Sequence, residues 1–278
     1  MYRKHKKIRP GEIILYFCCI LTALVMLVPF VWMVSASFKD KSEIFTIPIR
    51  WIPETFRLIN YEKIFNDIPF LTYFLNTFKI TVIVTFLQLV TSSMAAYAFA
   101  KLKFPGRDKI FLAYLGTMMV PWHAIMIPQF VIIQRLGLYN THWALILTGA
   151  FTTFGVFLLR QNMMSIPDSL VEAARIDGSG YLGIFTRIIL PLSRTGLITL
   201  AVLTFNSVWN DYMGPMIYLD SEMKKTIQLG LATFKREYDT DYGAIMAGTV
   251  ITIIPIVIVY AVGQNYIVEG VSHTGIKG

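Results

Sequence analysis

Charged residues are scarce in this chain. Asp, Glu, Lys and Arg together make up 15% of its 278 residues, against about 25% in soluble domains, and hydrophobic residues make up 55%. A helix needs about 20 apolar residues to cross a bilayer, and several uncharged runs reach that length. These runs lie between Glu12 and Lys39, Lys79 and Lys101, Lys109 and Arg135, and Asp241 and Glu269. The shortage of charge excludes an ordinary soluble domain and indicates a membrane protein.

Strand-like alternation is also missing. No uncharged run alternates polar and apolar residues as a barrel strand does, and a helix satisfies its backbone hydrogen bonds within one segment. Two further apolar segments are added to these four runs, one after the turn-like residues 137–140 and one that contains Asp211. We expect an all-α membrane protein with six transmembrane helices, at about 13–34, 76–99, 110–133, 143–159, 195–219 and 244–267.

Cysteine is nearly absent. The two cysteines, Cys18 and Cys19, are adjacent within the first predicted span, so they do not form an ordinary structural disulfide and are interpreted as apolar filling. The same span starts with basic residues and ends near Val34-Ser35-Ala36, which resembles a signal-peptide cleavage site. Its apolar run of about 22 residues exceeds the roughly 7–15 of a signal peptide, so we expect an uncleaved helix.

Basic residues are concentrated in alternate connections. Five lie in the first nine residues, four in residues 101–109 and four in residues 160–194, whereas residues 134–142 contain only Arg135. The positive-inside rule then places both termini and these two connections in the cytoplasm. The net charge of +8 is explained by topology and does not indicate nucleic-acid binding. We divide the chain into an N-terminal part at 1–75, a helical core at 76–268 that includes the 160–194 connection, and a cytoplasmic tail at 269–278.

The cytoplasmic connection at 160–194 is unusually long, since helix-to-helix connections typically have about 2–8 residues. Asp168 or Ser169 is a suitable N-cap for a helix, and Gly178 is suited to end it. The expected apolar face consists of Leu170, Ala173, Ala174 and Ile176.

A second amphipathic stretch follows at residues 181–189 and is expected to end at Pro191. The two stretches predict a short hairpin with the small residues Ala173 and Ala174 on one face, suited to docking on another protein. An amphipathic helix on the lipid surface is the alternative.

The residues of this hairpin have a recognisable spacing: Glu172-Ala173-Ala174, then Gly178 after three residues, and Ile188, Leu190 and Pro191 after nine more. The motif resembles the EAA loop of ABC-importer permeases at each defining position. The resemblance implies a type I ABC importer permease fold and a loop that docks on an ATP-binding-cassette ATPase dimer. The implied docking residues are Glu172, Ala173, Ala174, Asp177, Gly178, Ile188, Leu190 and Pro191.

Other segments resemble the maltose-type sugar permeases. They are residues 95–100, 104–107, 127–128, 136–141, 209–211 and 275–278, together with Phe205. Gly275-Ile276 departs from the pattern, because many members have Gly-Ala-Val or similar there. The resemblance implies an oligosaccharide cargo, a second permease subunit that is usually a different chain, an extracytoplasmic solute-binding protein and a bacterial inner membrane surrounded by lipid.

The sequence contains no phosphate-binding loop of the form G-x-x-x-x-G-K-[ST]. We therefore expect no enzymatic activity and no cofactor on this chain, with ATP and Mg²⁺ bound by the partner ATPase. Its four histidines are scattered without metal-ligand spacing, so no metal site is expected. His123, between Pro121 and Pro128 in a kinked third span, is expected to be packed, the alternative being a gate or proton site.

The fifth predicted span contains the candidate substrate residues. Asn206 and Asn210 are four residues apart and share one helical face, Trp209 is suited to stack on a sugar, and Asp211 is adjacent. The alternative is that both asparagines hydrogen-bond to neighbouring spans. Rival functions are an ABC permease for a non-sugar solute, an ion-coupled secondary carrier, which we would expect to have inverted repeats and buried acids, and a membrane hydrolase.

Overall fold

The computed structural model describes residues 10–235 and 240–275, and all regular elements in these ranges are helical. The basic residues 1–9 and residues 276–278 of the predicted tail motif lie outside them. The helices are α1 (Pro10–Ser37), α2 (Lys41–Ile44), α3 (Ile59–Asp67), α4 (Phe70–Lys101), α5 (Arg107–Gly116), α6 (Trp122–Arg135), α7 (His142–Gly149), α8 (Thr153–Met164), α9 (Asp168–Ile176), α10 (Tyr181–Ile184), α11 (Leu190–Leu192), α12 (Arg194–Trp209), α13 (Met213–Tyr218), α14 (Ile227–Ala232) and α15 (Tyr242–Gly275). Short 3₁₀ turns occupy Thr117–Met119 and Glu222–Lys224, and a π turn occupies Phe185–Ile189.

Four segments of the described chain are long and apolar enough to cross a membrane: Gly11–Ser37, Phe70–Lys101, His142–Met164 and Tyr242–Ile267. Two bent helix pairs raise the number to six if each pair is one span. The all-helical prediction is therefore confirmed for the described residues, and the number of candidate spans is four to six, against the six predicted.

The third predicted span, 110–133, was expected to be kinked and consists of two helical segments. The helix segments Arg107–Met119 and Trp122–Arg135 meet at 96°. Pro121 lies at the junction and has no N–H to continue the first helix, and Val120 before it is extended, with φ −82° and ψ 113°. Pro128, by contrast, is accommodated inside α6.

The fifth predicted span, 195–219, is not continuous either. Helix α12 ends at Trp209, and α13 starts at Met213. Pro215 cannot donate to the carbonyl four residues earlier, and the Asp211 carboxylate Oδ1 accepts the Gly214 N–H at 3.1 Å instead. On the other side, the segment Tyr181–Leu192 joins α12 at a bend of 75°.

The fourth span extends beyond the predicted 143–159, because it comprises α7 and α8 with a short break between them. Side chains of α4 satisfy the carbonyls freed by that break. Gln88 Nε2 donates to the Gly149 carbonyl at 2.7 Å, and the Thr91 hydroxyl donates to the Ala150 carbonyl at 2.8 Å. A broken helix is tolerated in a membrane where a neighbouring helix supplies such partners.

Two compact units make up the chain. The smaller includes the described residues of 10–68 and of 231–251. Its α1 exposes apolar side chains on all sides, as expected for a helix surrounded by lipid. Its non-membrane part is tied by the Asn60 carboxamide, which donates to the carbonyls of Ser37 and Lys39, and by an ion pair of Lys63 with Asp241 at 2.8 Å.

The larger unit includes the described residues 69–230 and 252–275 and is centred on α4. Helices α7, α8 and α12 pack against α4. Gly155 allows close approach here, because a Cβ at this position would lie 2.6 Å from the Ser92 hydroxyl of α4. One buried apolar cluster of this unit joins α4, α8 and α12 to α9 and α10, so the helical segments at 168–192 are packed on the helices of the core.

Candidate functional site

The motif at 172–191 forms a hairpin of two helical arms, which we call the hairpin and define as residues 168–192. Its first arm is α9, which starts at Asp168 with Pro167 in the N-cap position. The predicted cap by Asp168 or Ser169 is wrong, since no side chain caps this helix. The Asp168 carboxylate instead accepts a hydrogen bond from Lys101 Nζ at 2.6 Å.

Gly178 ends the first arm as predicted. Its φ is +80°, in the left-handed region that glycine adopts without strain. Gly178 N–H donates to the Arg175 carbonyl at 3.0 Å, and Ser179 N–H donates to the Ala174 carbonyl at 2.9 Å. These two bonds form a Schellman motif, which satisfies the last carbonyls of α9 and fixes the turn between the two arms.

The inner face of α9 differs from the predicted apolar face. Val171 and Ala174 are buried in the apolar cluster, whereas Ala173 is exposed and Ile176 is 86% exposed. Ala173 and Ala174 therefore do not lie on one face. Neighbouring residues on a helix are about 100° apart, so only Ala174 points to the core.

The second arm runs through α10, the π turn and α11. Ile184, Phe185 and Ile189 are buried, with Ile188 and Leu190 packed against the same cluster. The arm continues past Pro191 to Leu192, beyond its predicted end. Leu190 N–H bonds to the Phe185 carbonyl five residues earlier, and this wider turn accommodates a proline that has no N–H to donate.

The outer surface of the hairpin is exposed and mixed in character. Glu172 and Asp177 are exposed, and among the described residues neither carboxylate has a hydrogen-bond or ion-pair partner. Tyr181 and Leu182 are exposed beside them, and the Arg175 guanidinium lies 5.6 Å from the centroid of the Tyr181 ring. Charged groups and exposed apolar groups thus lie together on a motif whose opposite face is buried.

The C-terminal end of α4 holds the hairpin. The Lys101 side chain is only 3% exposed, and its ammonium donates to the Ile166 carbonyl and to Asp168, both at 2.6 Å. The hydrogen bond from Lys101 to Asp168 and the positive charge of the lysine lower the pKa of Asp168 below its usual value. The Tyr97 hydroxyl donates to the Tyr181 carbonyl at 3.2 Å, so both arms are bonded to the same helix.

The structure places the candidate substrate residues in different environments. Asn206 and Asn210 are exposed, and Asn210 Nδ2 donates to Asn206 Oδ1 at 3.2 Å, so they bond to each other. Trp209 has no exposed surface, and its Nε1 donates to the Thr252 carbonyl at 3.0 Å. The expectation that Trp209 stacks on a sugar is not supported in this conformation, because its ring lies between Phe74 and Phe205.

Asp211 lines a cavity of about 490 Å³ within the larger unit. The cavity is also lined by Trp122, Gln129, Tyr218 and His123. His123 is exposed, which differs from the expected packed histidine. The break after Pro121 brings Trp122 and Gln129 to the cavity from one face of α6, since seven residues are about two helical turns. This spacing was the sequence signal for these two residues, and it was missed.

No group of three or more potential metal ligands is found in the described part of the chain.

Comparison with known families matches residues 88–273 to the family described as "Binding-protein-dependent transport system inner membrane component". The match includes the hairpin and most of the residues that line the cavity. It covers more than half of the chain.

Individual relatives match over nearly their whole length. The arabinooligosaccharides transport system permease protein AraQ of Halalkalibacterium halodurans is 36% identical, covering 92% of this chain and 93% of the relative. The trehalose/maltose transport system permease protein MalG of Thermococcus litoralis is 33% identical, with coverages of 96% and 97%. One solved chain, from a bacterial ABC transporter involved in the import of the acidic polysaccharide alginate, matches with a TM-score of 0.80 and 28% identity, covering 96% of this chain and 99% of that one.

Proposed function

The chain belongs to the family of inner membrane components of binding-protein-dependent transport systems, in its maltose-type carbohydrate branch, and from this premise we propose how it acts. The protein is a multi-pass permease subunit, and members of the family are transport subunits rather than enzymes. It moves an oligosaccharide from an extracytoplasmic solute-binding protein into the cytoplasm by alternating access. A second permease subunit completes the pathway, and a separate ATPase dimer binds ATP and Mg²⁺.

The hairpin lies on the cytoplasmic side of the bacterial inner membrane, as do both termini. The distribution of Lys and Arg supports this orientation, because the three basic connections all fall on one side of the predicted spans. ATP is present on that side, so a chain without a phosphate-binding loop receives energy there by contact with an ATPase.

The exposed outer surface of the hairpin is the observation that carries the docking proposal. Ile176, Tyr181 and Leu182 expose more than 60% of their surfaces beside the charged Glu172. Exposed apolar side chains grouped on a rigid projection mark a protein interface. In the docked state the Glu172 carboxylate makes a charge-assisted hydrogen bond or ion pair with the ATPase.

The alternative of an amphipathic helix on lipid is disfavoured by the same geometry. A lipid-surface helix turns its apolar face to the acyl chains. The apolar face of α9, at Val171 and Ala174, is already packed on the core of this chain. The face that remains exposed includes Glu172, Arg175 and Asp177, which are costly to place in lipid.

Helix α4 is suited to carry motion from the hairpin into the membrane. Lys101 and Tyr97, at its cytoplasmic end, are bonded to the two arms. Thr77, Ile80 and Val84, near its other end, line the cavity. Val84 and Lys101 are 17 residue steps apart, which is about 26 Å along the helix, so a displacement of the hairpin reaches the cavity through a single rigid element.

Alternating access sets an energetic requirement. A switch from about 1:99 to 99:1 between inward-facing and outward-facing states needs about 5.5 kcal/mol of preference. ATP-driven closure of the ATPase dimer supplies this preference through the docked hairpin.

Reconstitution tests the proposal. The chain is placed in liposomes with its partner permease and ATPase, the binding protein is added outside, and uptake of labelled maltotriose and arabinotriose is measured. We expect uptake of at least one sugar to require ATP inside and to be independent of ion gradients. Uptake driven by a proton or sodium gradient without ATP would identify a secondary carrier and contradict the proposal.

A further inference from the structure

The cavity of about 490 Å³ has the size and lining of a small-molecule site. Ligand pockets in proteins typically have about 300–1,000 Å³ and combine apolar walls with a few placed polar groups. Here the apolar walls come from residues such as Ile80 and Val84, and polar groups come from α6, α13 and the break before α13. All of these residues belong to the larger unit.

Gln129 has a fixed orientation in this cavity. Its Oε1 accepts the Trp122 Nε1–H at 3.1 Å and the Tyr218 hydroxyl at 3.0 Å. An indole N–H can only donate, so the oxygen of the carboxamide must face Trp122. The Nε2 group is then free to donate, and no acceptor for it is found among the described residues.

Two further polar groups line the cavity without a full set of partners. Asp211 Oδ1 accepts the Gly214 N–H at 3.1 Å, and the Met213 N–H also bonds to this carboxylate, so about two of its roughly four acceptor positions are used. The Thr226 hydroxyl is 97% buried and has no partner in the described parts of the chain. A buried polar group without a hydrogen bond costs about 1–3 kcal/mol, so a ligand that pairs with these groups is favoured.

The charge of the lining restricts the ligand. Among the described residues, those that line the cavity include one carboxylate, Asp211, and no lysine or arginine. A carboxylated sugar would meet a carboxylate there without a fixed cation to pair with, and repulsive contacts of this kind are a basis of specificity. A neutral sugar offers hydroxyls to Gln129 and Asp211 and an apolar ring face to the half-buried Trp122.

We propose that this subunit has its own sugar subsite at Trp122, Gln129, Asp211, Tyr218 and Thr226, and that the subsite accepts neutral sugar residues and rejects uronic acids. The proposal rests on the proposed function, in which the cargo is an oligosaccharide. It assigns a substrate class to a place in the chain, rather than to the partner permease or the binding protein alone.

Binding to the permease complex without its binding protein tests this. The complex in lipid nanodiscs is titrated with three neutral trisaccharides, maltotriose, arabinotriose and mannotriose, and with trigalacturonic acid, and saturation-transfer NMR detects binding. We expect at least one neutral trisaccharide to bind and trigalacturonic acid to bind at least about 10-fold more weakly, the effect of one unfavourable or missing charged hydrogen bond. Binding of none of the neutral probes, or equal binding of the acidic one, overturns the proposal.

Two variants assign the effect to the cavity. Asp211→Asn retains an oxygen for the Gly214 N–H and removes the charge, so the preference for neutral over acidic sugar should fall by roughly 10-fold. Gln129→Leu should weaken neutral-sugar binding by a similar factor. Gln264→Leu is the matched control, because Gln264 is exposed and outside the cavity. Unchanged binding in both cavity variants, with thermal stability retained, contradicts the subsite.

ATP-driven uptake by the unmodified importer is measured in parallel. If uptake depends on ATP but the cavity variants bind sugar as the unmodified chain does, the subsite is wrong and the proposed function stands. If the cavity binds sugar but no ATP-dependent uptake occurs, the transport proposal fails.

Discussion

Gly178 is the residue at which the backbone of the hairpin requires glycine. Its φ of +80° lies in the left-handed region, and a Cβ placed there would meet no atom within 4 Å. The constraint is therefore conformational, since side-chain volume is not limited by neighbours. Asparagine is tolerated in this region, while a β-branched residue is strained.

Gly178→Val should destabilise the turn by roughly 1–3 kcal/mol and reduce ATP-driven uptake severalfold or more, because the arms no longer hold their angle. Gly178→Asn should retain most of the uptake. Uptake rates at equal protein levels, with ATPase co-purification measured alongside, provide the comparison. Equal rates for the two variants would show that the left-handed turn is unimportant for coupling.

Trp209 illustrates a residue whose predicted role the structure replaces. Its aromatic ring in a substrate-bearing span suggested stacking on a sugar, but the ring is buried between Phe74 and Phe205 and its Nε1 bonds to the Thr252 carbonyl. Packing of this kind depends on residues distant in sequence, so inspection of residues 206–211 alone did not reveal it.

Trp209→Phe should lower the stability of the permease by about 1–3 kcal/mol, because one buried hydrogen bond and part of the ring are lost. The affinity for sugar should remain unchanged. Thermal unfolding in detergent and sugar titration measure the two effects. Trp143→Phe is the control. Because Trp143 is 55% exposed, this variant should change neither the stability nor the sugar affinity. A loss of sugar affinity in Trp209→Phe at full stability would restore the stacking role.

At the scale of helices, sequence patterns located the elements and missed their breaks. Uncharged runs predicted the positions of α1, α4 and the first part of α15, because lipid requires continuous apolar surface. Pro121 lies at the bend of the third span and Pro215 lies just after the gap between α12 and α13, yet Pro128 lies inside a helix. Whether a proline breaks a helix depends on whether neighbours satisfy the freed carbonyl, and a single sequence does not contain that information.

The hairpin, too, was predicted only in part from the sequence. Its spacing predicted the end of α9 at Gly178, because positive φ leaves a strong preference for glycine. The predicted buried face of α9 included Ala173, which is exposed, because the sequence does not show on which side of the helix the core lies. The Asp168 carboxylate was expected to cap α9 but accepts a hydrogen bond from Lys101, which lies 67 positions earlier in the chain.

This ion pair makes the start of the hairpin sensitive to acid. Lys101 lowers the folded-state pKa of Asp168, so the pair contributes stability at pH values above the usual aspartate pKa. That contribution is lost as the pH falls through the lowered folded-state value. Amide hydrogen exchange of residues 166–176, corrected for intrinsic rates, should show protection that declines on acidification.

In Lys101→Met this decline should be absent, and protection should already be reduced at neutral pH. Lys109→Met is the matched control, because Lys109 is exposed and has no partner among the described residues. An identical pH profile in Lys101→Met and the unmodified chain would mean that the pair does not hold the hairpin.

For the whole molecule, the hairpin and the cavity lie in one compact unit, and α4 contacts both. One helix of 32 residues thus connects the exposed hairpin, the proposed docking surface, to the cavity. Family membership was recognisable from the spacing of the hairpin motif. The cavity was not, because Trp122, Gln129 and Asp211 come from segments that only the bends bring together.

Contact between the hairpin and the ATPase is the central claim, and site-specific photocross-linking tests it most directly. Benzoylphenylalanine replaces Ile176, which is 86% exposed at the end of α9, and in a control replaces Ile127, which is 66% exposed on α6. On illumination of membranes containing the complete importer, we predict a covalent adduct with the ATPase from position 176 and none from position 127. Absence of an ATPase adduct at position 176, or equal adducts from both positions, would contradict the account.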